Sequence, residues 1–264
     1  MLRHESEING YAIHATDGLI GTVNDFLFDD ATWLVRWLVI DTGDWLPGRK
    51  ILLPPSALAH VNHMGHQFAV RLTKQQVKEC PEIESDRPVS RQMETNIYDY
   101  YGWAPYWGSG SYLGLVGFGG GYLAGTAPPS LEVMQREKAI DDAQRSKDDP
   151  ALRSAKEVTG YQILASDGEI GHVEDFLVED DDWTIHYMVV DTTNWWPDKK
   201  VIISPLSVRK IEWSDRRVSL GTNRQTVKGS PLYDSSTTVD PIYEKNLHKH
   251  YGDLRLRVGP QSPS

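Results

Sequence analysis

Three histidines, His60, His63 and His66, stand at an H-x2-H-x2-H spacing, and neutral imidazole is a common ligand for zinc. A metal site needs those rings at one point. In a strand–turn–strand setting the side chains alternate and fan out, unlike the i, i+4 pair of a helix, so the spacing reads as the polar tip of a hairpin. Positions 210, 213 and 216, which fill the same places in the repeat described below, hold Lys, Trp and Arg. The acidic turns Asp29–Asp30 and Glu179–Asp182 lack the D-x-D-x-D-G spacing and distant Glu of a calcium loop, and read as solvated turns. Asp41 and Asp191 each end an apolar run and precede Thr, a place where a carboxylate satisfies turn N–H groups. His248 and His250 flank Lys249 near the end of a helical pattern, where cations complement the dipole. Cys80 precedes Pro81 with no His nearby in sequence, which argues against a nucleophilic thiol. No G-x-S-x-G, H-E-x-x-H or phosphate-loop motif is present. The expectation is therefore a non-enzymatic protein with no catalytic residue, cofactor or metal ligand set; a His-based metal protein or enzyme is the rival from another class.

The tryptophans are the better lead. Trp45, Trp195 and Trp196 lie in turn-rich segments beside Pro47 and Pro197 and beside the cations Arg49 and Lys199. Trp next to a cation is the composition of protein-binding hot spots, so these five residues are the candidate partner-binding set; the competing reading makes the indoles lids over an apolar core. Composition limits the partners. With Lys plus Arg 27 against Asp plus Glu 37, the net charge is −10, which gives no electrostatic footprint for general nucleic-acid binding. A single cysteine excludes an intramolecular disulfide framework and a zinc site built from four thiolates. Met1–Gly10 carries no apolar run of a signal peptide, and no run of 18 apolar residues suggests a spanning helix. These readings predict a cytoplasmic protein, with peripheral membrane association as the alternative.

The elements that must position these residues come in two sets, because the chain repeats itself. Gly10–Tyr11, Asp17–Gly18, Asp25–Phe26–Leu27, Trp33, Asp41–Thr42, Trp45, Pro47, Lys50 and Pro55 all recur 150 positions later, and the offset still holds at Tyr101–Gly102 and Tyr251–Gly252. Within each unit Thr16-Asp17-Gly18 marks a hairpin, a bulge fits near Gly21–Asn24, and Trp33–Asp41 reads as a central strand buried on both faces. Lys50–Leu53 is a further strand stopped by Pro54–Pro55, followed by a hairpin around His63–His66 and a short helix over Thr73–Cys80. Six short strands per unit suggest a small closed barrel. An amphipathic helix follows in each: Ser90 caps the one carrying Met93 and Ile97, and Asp240–Pro241 starts the one carrying Tyr243 and Leu247. Gly102 and Gly252 terminate them.

The pattern G-x-I-G-x-V-x-D-F-L, an acidic turn, Trp, an apolar strand ending Asp-Thr, then W-x-P-x-(R/K)-K and a Pro after the next strand resembles the PRC-barrel family, here in tandem. It stands as Gly18–Leu27, Trp33, Asp41–Thr42, Trp45, Pro47, Arg49–Lys50 and Pro55, and again 150 residues on. The resemblance implies a mainly β chain of two small six-stranded PRC-like barrels, each followed by short helices. It also implies docking and assembly roles without a catalytic centre, as in a ribosome-maturation factor and the photosynthetic reaction-centre H subunit, and bacterial tandem proteins share it. The expected organisation is copy 1 with its helix over 1–102, a Gly/aromatic-rich then charged linker over 103–155, and copy 2 with its helix over 156–256. The activity these grounds favour is protein binding as an assembly factor. A membrane-peripheral accessory of a photosynthetic or respiratory complex is the alternative. Intramolecular pairing of the two barrels is expected, with the faces Met93/Ile97 and Tyr243/Leu247 as the glue.

Overall fold

A computed structural model of the chain describes residues 1–81, 89, 91–103, 105, 152–193, 195–196, 199–235 and 239–251. Nearly all of the expected linker lies outside them, as do Ser90, Pro197 and Gly252. The described chain is mainly β, with a few short helices. In the first half the strands are β1 (Leu2–His4), β2 (Ala12–Ala15), β3 (Gly18–Asp29), β4 (Val35–Asp41), β5 (Lys50–Leu53), β6 (Leu58–Asn62) and β7 (Gln67–Val70). The helices are α1 (Glu5–Ile8), α2 (Lys74–Glu79) and α3 (Arg91–Tyr101). The second half repeats the series as β8 (Leu152–Ser154), β9 (Gln162–Ala165), β10 (Gly168–Glu179), β11 (Ile185–Asp191), β12 (Lys200–Ile203), β13 (Val208–Glu212) and β14 (Arg217–Leu220). Its helices are α4 (Ala155–Val158), α5 (Arg224–Lys228) and α6 (Pro241–Tyr251).

Each half builds a sheet in the order β5-β4-β3-β2-β7-β6, or β12-β11-β10-β9-β14-β13. With one further strand beside each path, these are open sheets of seven strands, not the closed six-stranded barrels expected. Among the described residues no ladder joins β5 to β6; the chain passes between them through a 3-10 turn opened by Pro55, or Pro205 in the other half, and proline brings no N–H to a closing ladder. The seventh strand comes from elsewhere. β8 pairs with β3 of the first half through Leu27↔Ser154, Phe28↔Arg153 and Asp29↔Leu152. Reciprocally, β1 pairs with β10 of the second half through Leu2↔Glu179, Arg3↔Val178 and His4↔Leu177. The reason lies in β3, which meets β2 only over Gly18–Thr22 along one edge while β4 takes the other over Thr22–Phe28. The rest of the first edge would present unpaired backbone groups, and the exchanged strand covers them. Leu152–Ser154 thus falls inside the segment assigned to the linker from sequence.

The bulge expected near Gly21–Asn24 is present as a register shift between Val23 and Asp25. Gly21 there has φ +156°, and a Cβ on it would stand 2.2 Å from the carbonyl oxygen of Asp41; at Gly171 the corresponding approach to Asp191 is 1.9 Å. Only glycine lets the two strands cross so closely. The central strand starts later than the apolar run suggests. Trp33 and Trp183 sit at φ 59° and 61°, a left-handed conformation uncommon for a bulky residue, and β4 begins at Val35. From there Trp37, Leu38, Val39 and Ile40 are all buried, so burial on both faces holds. Leu38 and Ile40 face the main core, while Trp37 and Val39 meet Ile97 and Tyr98 of α3.

That packing corrects the expected role of the two longer helices. Ile97 and Met93 lie on Trp37, Val39 and Leu52 of the first half; Leu247 and Tyr243 lie with Tyr187, Val189 and Ile202 of the second. Each helix buries its stripe on its own sheet. The halves are joined instead through one continuous apolar cluster running from Ile8 and Phe28 to Phe176 and Trp183. Trp183 meets Phe26 at 6.0 Å and Phe68 at 5.8 Å, and Phe28 meets Phe176 at 5.6 Å between ring centres. Val35 N–H donates to the Trp183 carbonyl at 2.9 Å and Ile185 N–H to that of Trp33 at 2.8 Å. The left-handed turn aims these carbonyls across the boundary.

Candidate docking surface

The loop after β4 is positioned by its strand end. Asp41 Oδ1 accepts from Gly43 N–H at 2.9 Å, and Thr42 Oγ donates to the carbonyls of Leu46 and Arg49 at 2.7 Å. In the second half Asp191 accepts from Thr193 N–H at 2.8 Å and Thr192 donates to the Lys199 carbonyl at 2.5 Å. The expected turn role of both aspartates is what the geometry gives. Trp45 and Trp196 are partly buried against the core, whereas Trp195 is 43% exposed. Two of these indoles thus lean partly inward while keeping some exposure, and one stands at the surface.

Arg49 and Lys199 have internal tasks. Arg49 donates to the carbonyls of Lys78, at 2.6 Å, and of Cys80, and Lys199 donates to the carbonyl of Lys228. Both bring positive charge to the C-terminal end of a short helix, where orphan carbonyls collect. Burial, and then the neighbouring Lys228, hold the Lys199 ammonium below its ordinary pKa.

Sequence reasoning missed the cations that lie on the indoles. Lys74 Nζ stands 4.8 Å from the Trp45 ring centre, the Arg224 guanidinium 4.5 Å from that of Trp195, and Lys228 Nζ 5.9 Å from that of Trp196. These are within range for attraction to the ring face. Each element is fixed locally. Thr73 caps α2 with a reciprocal Gln76 contact, Asn223 caps α5 through Thr226 N–H at 2.8 Å, and the Asp-Gly hairpin turn accepts the first helical N–H, Lys74 N to Asp17 at 2.8 Å and Arg224 N to Asp167 at 2.7 Å. The side-chain stems then lie over Gly18 and Gly168, 3.8 and 3.3 Å from where a Cβ would stand. The signal for them is in the sequence: positions 74 and 224, and 78 and 228, are cationic in both copies.

The three histidines make different contacts. His63 Nε2 meets Asp180 Oδ2 at 2.9 Å across the boundary and Nδ1 faces the Tyr11 hydroxyl at 3.4 Å; His66 stacks on Tyr11 at 5.0 Å; His60 is exposed on β6. Burial, then Arg3, hold His63 below its ordinary pKa. Among the described residues one acidic group converges, Glu179, Asp180 and Asp181. It already meets the Met1 amine, Arg3 at 3.1 Å and His63, so the turn is not simply solvated. Its counterpart Asp30 pairs with Arg153 at 2.8 Å. Burial pushes the Cys80 thiol up, away from thiolate chemistry. His250 Nε2 lies 2.7 Å from the Thr226 carbonyl, which accepts from it, and His248 reaches the Tyr187 hydroxyl at 3.2 Å.

Among the described residues no helix is long and apolar enough to cross a membrane. A comparison with curated proteins finds an uncharacterised protein of Deinococcus radiodurans, 34% identical over 85 residues. The match covers 32% of this chain and 30% of that relative's length. The model of the PRC-barrel domain matches residues 5–76, a span that runs from α1 through the start of α2 and holds the β3 bulge, Trp45 and Lys74. On that match, residues 5–76 of this chain are a PRC-barrel domain.

Proposed function

We propose that the chain is a non-catalytic, cytoplasmic docking protein, in which a second PRC-like unit over the latter half is paired with the first and both offer equivalent surfaces to a protein partner. The observation that carries this reading is the repeated cation on an indole at the same place in each half, Lys74 on Trp45 and Arg224 on Trp195. Aromatic groups beside a positioned cation concentrate binding energy in protein interfaces. The 150-residue repeat supports a second unit, and the organisation 1–102, 103–155 and 156–256 follows from it, with the exchanged β8 drawn out of the linker end. Trp45, Trp195 and Trp196 contribute the contact, and Arg49 and Lys199 hold the loops that carry them.

Lysine-directed cross-linking of the full chain in a lysate of its native host tests this. Cross-links to one partner should concentrate on Lys74, Lys78 and Lys228 and fall with Trp195→Ala, most of all at Lys228. Links spread evenly over the lysines, or unchanged by that substitution, count against docking at these loops. Recovery of the chain with membrane vesicles would favour instead the membrane-peripheral accessory role.

A further inference from the structure

The chain is acidic overall, yet both halves gather cations at the same four places. Arg49 and Lys50 correspond to Lys199 and Lys200, and Lys74 and Lys78 correspond to Arg224 and Lys228. Of the 27 Lys and Arg, these surround the Trp loops and the helix beside them. Some are spent internally: Arg49 and Lys199 on helix-end carbonyls, Lys200 on Glu174. The remainder keep their charge outward, with Lys74, Arg224 and Lys228 resting on indole rings. Among the described residues Lys74, Lys78, Arg224 and Lys228 make no ion pair, and Lys78 and Lys228 are exposed. Asp17 and Asp167 beside them spend an oxygen on the backbone N–H of α2 and α5, and Glu79 of α2 accepts from Gln75.

We infer that these surfaces select an acidic segment of a partner protein, with the patch of the second half as the stronger of the two. This rests on the docking reading and adds the partner's chemistry. A cation held over an indole keeps its outward N–H groups for an incoming carboxylate, while the ring offers an apolar face beside it. Arg224 is suited to a bidentate carboxylate contact, which its counterpart Lys74 cannot make. The second half adds a second indole, Trp196, where the first has Leu46, and leaves Trp195 at the surface. Lys199 donates to the Lys228 carbonyl, which sets its charge at the end of the helix that carries Lys228, where an external carboxylate can meet both. A short acidic stretch with apolar residues between its carboxylates matches this patch. A nucleic-acid backbone needs a longer positive track and meets a chain of net charge −10.

The test uses the full chain and two fluorescein-labelled 12-residue probes, one alternating Glu with Leu and one alternating Lys with Leu, followed by fluorescence anisotropy. The acidic probe should bind at least tenfold more tightly than the basic one. Arg224→Glu combined with Lys228→Glu should weaken it at least tenfold, with the melting temperature of the protein unchanged within about 2 °C, the scale of small surface effects. Absence of acidic-probe binding up to millimolar concentration, equal binding of both probes, or indifference to the double reversal overturns the inference, as does tighter binding of poly(uridylic acid). The cross-linked partner separates the two levels. If Trp195→Ala releases it and the double reversal does not, docking stands and the acidic selection falls; if neither releases it, docking at this loop falls as well.

Discussion

Glu5 shows how a single residue tunes the join between the halves. Its side chain is buried in α1, where Oε1 accepts from Asn9 at 2.6 Å. Burial, and then the charges of Asp175 and Asp25, push its carboxyl from 4.5 up to about 8. The folded protein keeps that proton across an interval in which the unfolded chain has lost it, so stability falls as pH rises through this window. His4 works in the same direction: its hydrogen bond to Asp175 at 2.8 Å raises its pKa, and the stabilisation, full below 6.5, is lost as pH rises through the folded value. Thermal melts should therefore show Glu5→Gln gaining about 2 kcal/mol or more over the native chain at pH 8, one pKa unit being worth ~1.4 kcal/mol, and much less at pH 5. An equal gain at both pH values would mean that Glu5 ionises normally. The tryptophans divide by the same logic of burial. Trp183→Ala, which empties a site between the halves, should cost roughly 3–5 kcal/mol in urea unfolding, whereas Trp195→Ala should stay within about 0.5 kcal/mol. Comparable losses at the two positions would make Trp195 a lid.

At the scale of the element, one carboxylate gathers several donors of each exchanged segment, beside the ion pairs of Arg3 with Asp180 and Arg153 with Asp30. Asp25 accepts from Ser154 Oγ at 2.5 Å and Lys156 N–H at 3.0 Å; Asp175 accepts from His4 at 2.8 Å, Ser6 N–H at 3.2 Å and Ser6 Oγ at 2.5 Å. Asp25→Ala strands those donors at a cost of about 1–3 kcal/mol and should speed amide hydrogen exchange of Leu152–Ser154 and Leu27–Asp29 ahead of β11. Uniform acceleration across both sheets would show that the strand is not a separately held piece. Much of the element pattern was legible: the Asp-Gly turn, the bulge, the apolar β4 and the Pro stop each carry a local signal. The exchange was not. Leu2-Arg3-His4 and Leu152-Arg153-Ser154 are three-residue strands whose partners stand about 175 and about 125 positions away in sequence, and neither periodicity nor turn chemistry encodes a partner so remote. The left-handed Trp33 was hidden for a similar reason, since its carbonyl is held by Ile185 N–H across the boundary. The loop cations were legible as a repeated pattern only when read together with the indoles, because each alone looks like a solvated surface charge.

At the scale of the molecule, reciprocal exchange makes the two sheets one body, in which two similar surfaces keep a fixed relation. A partner that engages both gains from effective concentration, and loss of one surface weakens binding more than a single contact would suggest. The indole–cation loops are the proposed place where a partner binds. The most direct measurement is recovery of the cross-linked partner, by affinity capture from the native host, on the wild-type chain, Trp45→Ala, Trp195→Ala and the double variant, with folding checked by melting. Partial loss is expected in each single variant, more for Trp195→Ala, and near-complete loss in the double. Undiminished recovery on the folded double variant would contradict it.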